Sequence, residues 1–171
     1  MDHRLFTERL VLAPASAEQI RAIIAGEYER ASKLIGARVP PGWPDDPAAQ
    51  EGLPWHLAAL EQDANQVLWR IRLVINVATD SVIGSINLKG PPTQEGDVEI
   101  GWGILAEARG QGFAIEASRS VVEWAFADSS VRRVTATVPE HNEASQRVAS
   151  RLGMAPTGET RRGLPVWAIG R

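Results

Sequence analysis

An apolar run from Asp97 to Ile104 is followed closely by Arg109-Gly110-Gln111-Gly112-Phe113-Ala114, and then by a helical period reaching Ala125. A strand that turns through glycines directly into a helix presents several unpaired backbone N–H groups at the positive end of the helix dipole. Such a junction is an anion site, suited to a phosphate or pyrophosphate. Three glycine-rich templates compete for it. A P-loop needs Gly-Lys-Ser/Thr at its end, and here Gly112 is followed by Phe113 and Ala114, with no lysine for a γ-phosphate. Gly101-Trp102-Gly103-Ile104-Leu105-Ala106 fits a dinucleotide fingerprint literally. Its context fails, because the helical period starts only after Gly112 and Glu123 falls inside that helix, not at a strand end. The third template, Gln/Arg-x-x-Gly-x-Gly/Ala, is met by Arg109, Gly112 and Ala114.

With that loop the chain resembles the GNAT superfamily of acyl-coenzyme A-dependent N-acetyltransferases, in particular its RimJ/RimL-like branch of ribosomal-protein acetyltransferases. The resemblance begins at Phe6-Thr7-Glu8-Arg9-Leu10 and continues through Val82-Ile83-Gly84-Ser85-Ile86, Val98-Glu99-Ile100-Gly101-Trp102 and Gly112-Phe113-Ala114-Ile115-Glu116-Ala117. It ends with Asn142-Glu143-Ala144-Ser145 and Leu152-Gly153-Met154, so nearly the whole chain is covered in the family's order. Residues 1–171 are accordingly expected to form a single acetyltransferase domain.

Composition narrows the class further. The chain has 171 residues and 44% hydrophobic content, enough for one globular domain with a sizeable core. A net charge of −3 disfavours a sequence-independent nucleic-acid binder. Cysteine is absent, which excludes a disulfide scaffold, a thiolate metal site and a cysteine acyl-enzyme. The opening MDHRLFTERL lacks a signal-peptide apolar stretch, and no run approaches the roughly 20 apolar residues of a membrane span. A cytoplasmic protein, bound to neither membrane nor nucleic acid, is expected. His3, His56 and His141 have no metal-ligand spacing, and no metal is expected.

Along the chain, alternation predicts a strand over Leu5–Ala13, and Ser16 with Gln19 forms a capping box for a helix over Ala17–Gly26. A second helical segment is predicted over Glu27–Ile35. Val39–Pro47 holds four prolines and a glycine and reads as a loop, followed by a helix over Ala48–Gln62. Strands are predicted over Trp69–Ala78, Ser81–Leu88 and Asp97–Ile104, the first two joined by Thr79-Asp80. After Gly112, Ile115, Val122 and Phe126 mark a helical stripe with Ala114, Val121 and Ala125 beside it. A strand over Arg133–Val138, a helix over Glu143–Leu152 capped by Asn142, and strands over Met154–Glu159 and Pro165–Gly170 complete the pattern. The order implies an α+β domain: a GNAT-like mixed, mostly antiparallel twisted sheet with helices on both faces. The tail ends soon after Met154, so the final strand pair is open to truncation, and a homodimer whose second copy completes the acceptor cleft stays open.

Glu99 is the expected catalytic carboxylate. Its strand places Val98, Ile100 and Trp102 on one face and Glu99 on the other, and an unpaired carboxylate partway along an apolar strand is costly. The alternative is an edge-exposed or salt-bridged glutamate. The resemblance implies that Glu99 acts as a base through water, and that its strand splays from the Arg133–Val138 strand to admit the pantetheine arm of acetyl-CoA. It implies main-chain contacts to pantetheine from Trp102, Gly103 and Ile104, and to pyrophosphate from Arg109, Gly110, Gln111, Gly112, Phe113 and Ala114. A backbone N–H near Ile104 is the implied oxyanion donor. Many relatives protonate the departing sulfur with a tyrosine where this chain has Ala149; in the RimL-like branch a serine does so, and Ser145 matches it. Asn142 is implied to bind pantetheine or an ordered water, and otherwise caps its helix. Trp43, in the proline-stiffened loop, is a candidate to line the substrate cleft. The expected reaction is direct transfer of acetyl from acetyl-CoA to a primary amine, on a protein N-terminus or a small molecule. A non-catalytic acyl-CoA sensor or assembly module is the alternative.

Overall fold

Ser16 Oγ accepts the Gln19 N–H at 3.2 Å while the Gln19 side chain accepts the Ser16 N–H at 2.9 Å, and this reciprocal pair starts helix α1 (Ala17–Ile24) where the sequence predicts it. The computed structural model describes residues 3–171. Helices α2 (Tyr28–Ile35) and α3 (Pro47–Gln62) follow, α3 opening on Asp46 as N-cap. Strands β3 (Ile71–Asn76) and β4 (Ser81–Leu88) are buried almost throughout, which is why they read as apolar runs without clean alternation. Strand β5 (Asp97–Ile104) leads through the glycine loop into α4 (Phe113–Ala127). Then come β6 (Arg133–Thr137), α5 (Glu143–Arg151), β7 (Ala155–Arg161) and β8 (Leu164–Gly170).

Three local expectations change. The Leu5–Ala13 strand is divided into β1 (Leu5–Phe6) and β2 (Leu10–Pro14), because Thr7 turns the chain by donating its N–H to Leu10 O and accepting the Leu10 N–H on its hydroxyl oxygen. A 3-10 turn over Ala64–Trp69 takes Trp69, expected to open the third strand, so that β3 starts only at Ile71; there Trp69 packs against Trp124 with ring centroids 4.7 Å apart. On α4 the buried stripe is Phe113, Ala117, Val121, Val122 and Ala125, so Ile115 and Phe126 stand at its margin. Ile115 instead faces the cleft described below.

The strands form one sheet in the order β1-β2-β3-β4-β5-β6-β8-β7, antiparallel at every pair except β5 with β6. Helix α1 packs against α2 and α3, whereas α4 packs against β5 and α5, so two helical groups flank the sheet as the α+β reading requires. The last strand pair is not truncated: β7 and β8 have seven residues each, and β8 pairs along the whole of β6.

Candidate active site

The parallel pair carries the site. β5 and β6 are in register only at Asp97–Arg133, Val98–Val134 and Glu99–Thr135. That closed end is clamped by a bidentate ion pair, Arg133 Nε and Nη2 lying 3.0 and 2.5 Å from the two Asp97 oxygens. Arg133 holds the Asp97 carboxyl below the usual carboxylate range. Past Glu99 the strands separate, β5 staying with β4 and β6 with β8. The Lys89 N–H donates to Glu99 O at 3.0 Å and the Leu105 N–H to Ile83 O at 2.8 Å, which fixes the alternation. Backbone groups of Glu99, Gly101 and Gly103 face β4, and those of Ile100, Trp102 and Ile104 face the gap. Gly103 O lies 2.2 Å from where a Cβ on Gly84 would sit, so no side chain fits at position 84. Gly103 therefore lines the cleft wall but turns its polar groups away from it. The main-chain groups available from this strand belong to Ile100, Trp102 and Ile104, and the Ile104 carbonyl is already taken by Arg109 Nε at 2.9 Å.

The gap runs into the glycine loop. Gly110 (φ +76°) and Gly112 (φ +82°) adopt left-handed conformations open to glycine. Gly112 is the N-cap of α4, and the first helical bond is from Glu116 N–H to Gly112 O. The N–H groups of Phe113, Ala114 and Ile115 thus have no intrahelical acceptor and point out of the helix end. The loop is braced from the other end of the sequence. Arg9 Nη1 donates to Gln111 O at 3.0 Å, its Nε lies 2.7 Å from Glu116 Oε2, and its guanidinium covers the Phe113 ring at 4.4 Å. Thr7 Oγ1 donates to Glu116 Oε1 at 2.6 Å. Burial works against ionising Glu116, but these Thr7 and Arg9 contacts outweigh it and hold the carboxyl below its ordinary pKa. Sequence reading missed this brace; Thr7 and Arg9 stood in the opening segment as marks of resemblance only.

Loop and gap together open a cleft of about 850 Å³. Glu99 lies at one end of it, and both its oxygens are occupied. Oε2 accepts from Arg161 Nη1 at 2.8 Å; Oε1 accepts from Arg162 Nη2 at 2.5 Å and from Thr137 Oγ1 at 3.3 Å. Burial pushes the Glu99 pKa up, but the two arginines outweigh it and hold it below the usual range. Glu99 is therefore salt-bridged, the alternative that the sequence left open, yet it still faces the cleft.

Across the cleft, α5 supplies Asn142 and Ser145. Asn142 Oδ1 caps the helix by accepting the Ser145 N–H at 3.0 Å, so the capping role holds, and both residues line the cleft. Ala149 is buried where a tyrosine was looked for. Arg147 and Arg151 also line this side and were not singled out from sequence. Trp43, 4% exposed, lines the cleft together with Ser85, Asn87 and Lys89. The polar alternation Ser85-x-Asn87-x-Lys89 opposite Glu99 was the signal that could have found these three. Among the described residues no group of His, Cys, Asp or Glu is arranged to hold a metal, and no helix is long and apolar enough to cross a membrane.

A divergent parallel strand pair feeding a glycine-capped helix defines the acetyltransferase class anticipated above. The family profile of the acetyltransferase (GNAT) domain matches residues 9–155, and the chain belongs to that family. It is an acyl-CoA-dependent acetyltransferase that transfers acetyl from acetyl-CoA to an amine. An uncharacterized N-acetyltransferase of Bacillus subtilis, YjdG, is 24% identical over 149 residues, covering 87% of this chain and 88% of its own. A ribosomal-protein alanine acetyltransferase from Vibrio fischeri superposes with a TM-score of 0.70 at 16% identity, over 99% of this chain and 97% of that one. RimL, a ribosomal-protein α-N-acetyltransferase solved with coenzyme A, gives 0.66 at 18% identity, over 96% and 95%.

Proposed function

We propose that acetyl-CoA lies along the β5–β6 gap with its diphosphate on the α4 N-terminus, and that the amine attacks from the Glu99 end. The observation that carries this is continuity: unpaired strand edge, glycine loop and ionised carboxylate border one cleft. The N–H groups of Phe113, Ala114 and Ile115 take the diphosphate, with Arg109 through Gly112 shaping the turn. Trp102 and Ile104 meet the pantetheine amides as an added strand would. The Ile104 N–H is aimed where the thioester oxygen develops charge.

In the transfer step the amine nitrogen bonds to the thioester carbon, the carbonyl reforms and the C–S bond breaks. The nitrogen proton passes through water to Glu99, and the departing thiolate takes a proton from Ser145 Oγ or solvent. A carboxylate held ionised by arginines is a weak base for a free ammonium. Once nitrogen has attacked, it bears positive charge next to the acyl carbon and releases its proton far more readily, so a weak base suffices. The acceptor is a small-molecule amine or a protein N-terminus, the latter suggested by the ribosomal-protein acetyltransferases among the structural neighbours. Family membership does not favour the sensor alternative. Coenzyme A release by Glu99→Gln tests the scheme: kcat should fall about 100-fold, with acetyl-CoA affinity nearly unchanged. Wild-type turnover in that variant would remove Glu99 from the chemistry.

A further inference from the structure

The acceptor end of the cleft has a composition that the transfer chemistry does not require. Around Glu99 stand Arg161, Arg162 and Lys89, three cations against one carboxylate. Lys89 makes no ion pair among the described residues; its Nζ lies 5.8 Å from the centre of the Trp55 ring. Arg70 covers the same ring, its Cζ 4.8 Å from the ring centre. Asp45 and Asp46 also line the cleft, anchored by backbone donors: Asp45 Oδ2 accepts the Ala106 N–H at 3.1 Å and Asp46 Oδ1 the Ala49 N–H at 3.0 Å. A carboxylate entering here meets a cleft-lining ammonium, Lys89, that no ion pair occupies.

Two buried polar atoms also lack partners. Asn87 Oδ1 and His56 Nδ1 make no hydrogen bond, and His56 is 1% exposed. Both border a small chamber that shares Trp43, Ser85, Asn87 and Lys89 with the main cleft. An orphaned buried acceptor costs free energy unless a ligand or water supplies a donor. Gly101 and Gly103 stand opposite Asn87 and Ser85 in the β4–β5 register, so no side chain from β5 fills the space between them. Burial lowers the Lys89 pKa, with Arg162 adding to the effect and Glu99 opposing it. An incoming anion would reverse that.

Resting on the acetyltransferase reading above, we propose that the amine acceptor carries a carboxylate, bound by Lys89, and donates an N–H to Asn87 Oδ1. Asn87 in β4 and Lys89 just beyond its end, where the Lys89 N–H still pairs with Glu99 O, are two residues apart on one face, so one compact molecule bearing both an amine and a carboxylate can span them. The shared chemistry is a carboxylate close to a primary amine, found in a free amino acid and in a peptide that begins with an acidic residue.

Matched acceptor pairs test this. Initial rates of coenzyme A release are measured for a panel of amino acids against their carboxamides, and for peptides beginning with Asp or Glu against those beginning with Asn or Gln. The carboxylate member should win by about ten-fold or more in kcat/KM, through KM, in at least one arm. The winning arm tells free amino acid from peptide. Lys89→Met should bring the ratio in that arm close to one, and Lys89→Glu should invert it. An acetyl-CoA thermal shift on each variant establishes that it is folded. Robust turnover with no carboxylate preference, or a preference that Lys89→Met leaves intact, overturns the carboxylate assignment alone. Acetyl-CoA binding with no response to any amine overturns the acetyltransferase reading along with it.

Discussion

Arg161 Nη1 lies 2.8 Å from Glu99 Oε2, tying the last hairpin to the middle of the sheet across 62 positions of chain. The contact gives β7 and β8 a function beyond closing the sheet. Without it, burial of Glu99 would favour the protonated form. Arg161→Met should therefore raise the Glu99 pKa. A carbon-13 NMR titration of the Glu99 carboxyl in the two proteins checks this, and equal titration midpoints would contradict it.

In the wild type neither Glu99 nor His56 loses activity by titrating near neutrality on the acid side. Glu99 is held ionised by its arginines, and burial with Lys89 and Arg70 nearby lowers His56 to about 3. The rising limb of kcat/KM should then belong to the acceptor, since the free amine must be neutral to attack. Two acceptors of different amine pKa should give limbs displaced by that difference. A limb fixed in position whatever the acceptor would point to an enzyme group instead.

His56 also governs stability. Its folded pKa of about 3 lies below the unfolded value of 6.5, so the unfolded chain binds the extra proton. Stability from this group is complete above pH 6.5 and falls as the pH drops toward 3; at pH 5 the loss is about 2 kcal/mol. Denaturant unfolding between pH 7 and pH 5 should show that slope in the wild type and a flatter one in His56→Leu. Equal slopes would place the titration elsewhere.

Arg9 reaches the cofactor loop without standing in the cleft wall. Its hydrogen bond to Gln111 O and its pairing with Glu116 fix the turn from which the α4 N–H groups emerge. Arg9→Met should weaken acetyl-CoA binding several-fold, on the order of three- to ten-fold, with a small effect on kcat at saturation. Calorimetric titration measures the first and coenzyme A release the second. Unchanged affinity would show that the loop holds its shape unaided.

What was legible in the sequence was local. Ser16 and Gln19 announce α1 because a capping box involves only four consecutive residues, and Gly112 announces α4 because its left-handed φ admits little else. The limits of β4 and β5 were read without error, and both strands start directly after a positive-φ turn residue, Asp80 and Gly96. What failed depended on distant partners. The break in Leu5–Ala13 places Thr7 against Glu116, 109 positions on, and the Trp69 turn answers to Trp124. Glu99 was found as an anomalous carboxylate, but its arginines lie in a hairpin whose path over the cleft no period in the sequence encodes. Gly103 was assigned to the cofactor from its place in the motif, and only the pairing register revealed which way its carbonyl turns.

The central claim is that main-chain amides at the start of α4 hold the diphosphate of acetyl-CoA. Amide chemical shifts, followed by NMR while coenzyme A is added, read those groups directly. The largest perturbations should fall on Gly112, Phe113, Ala114 and Ile115, and pantetheine, which lacks the diphosphate, should leave them nearly unmoved. Saturable binding of coenzyme A with those four amides unperturbed would contradict it.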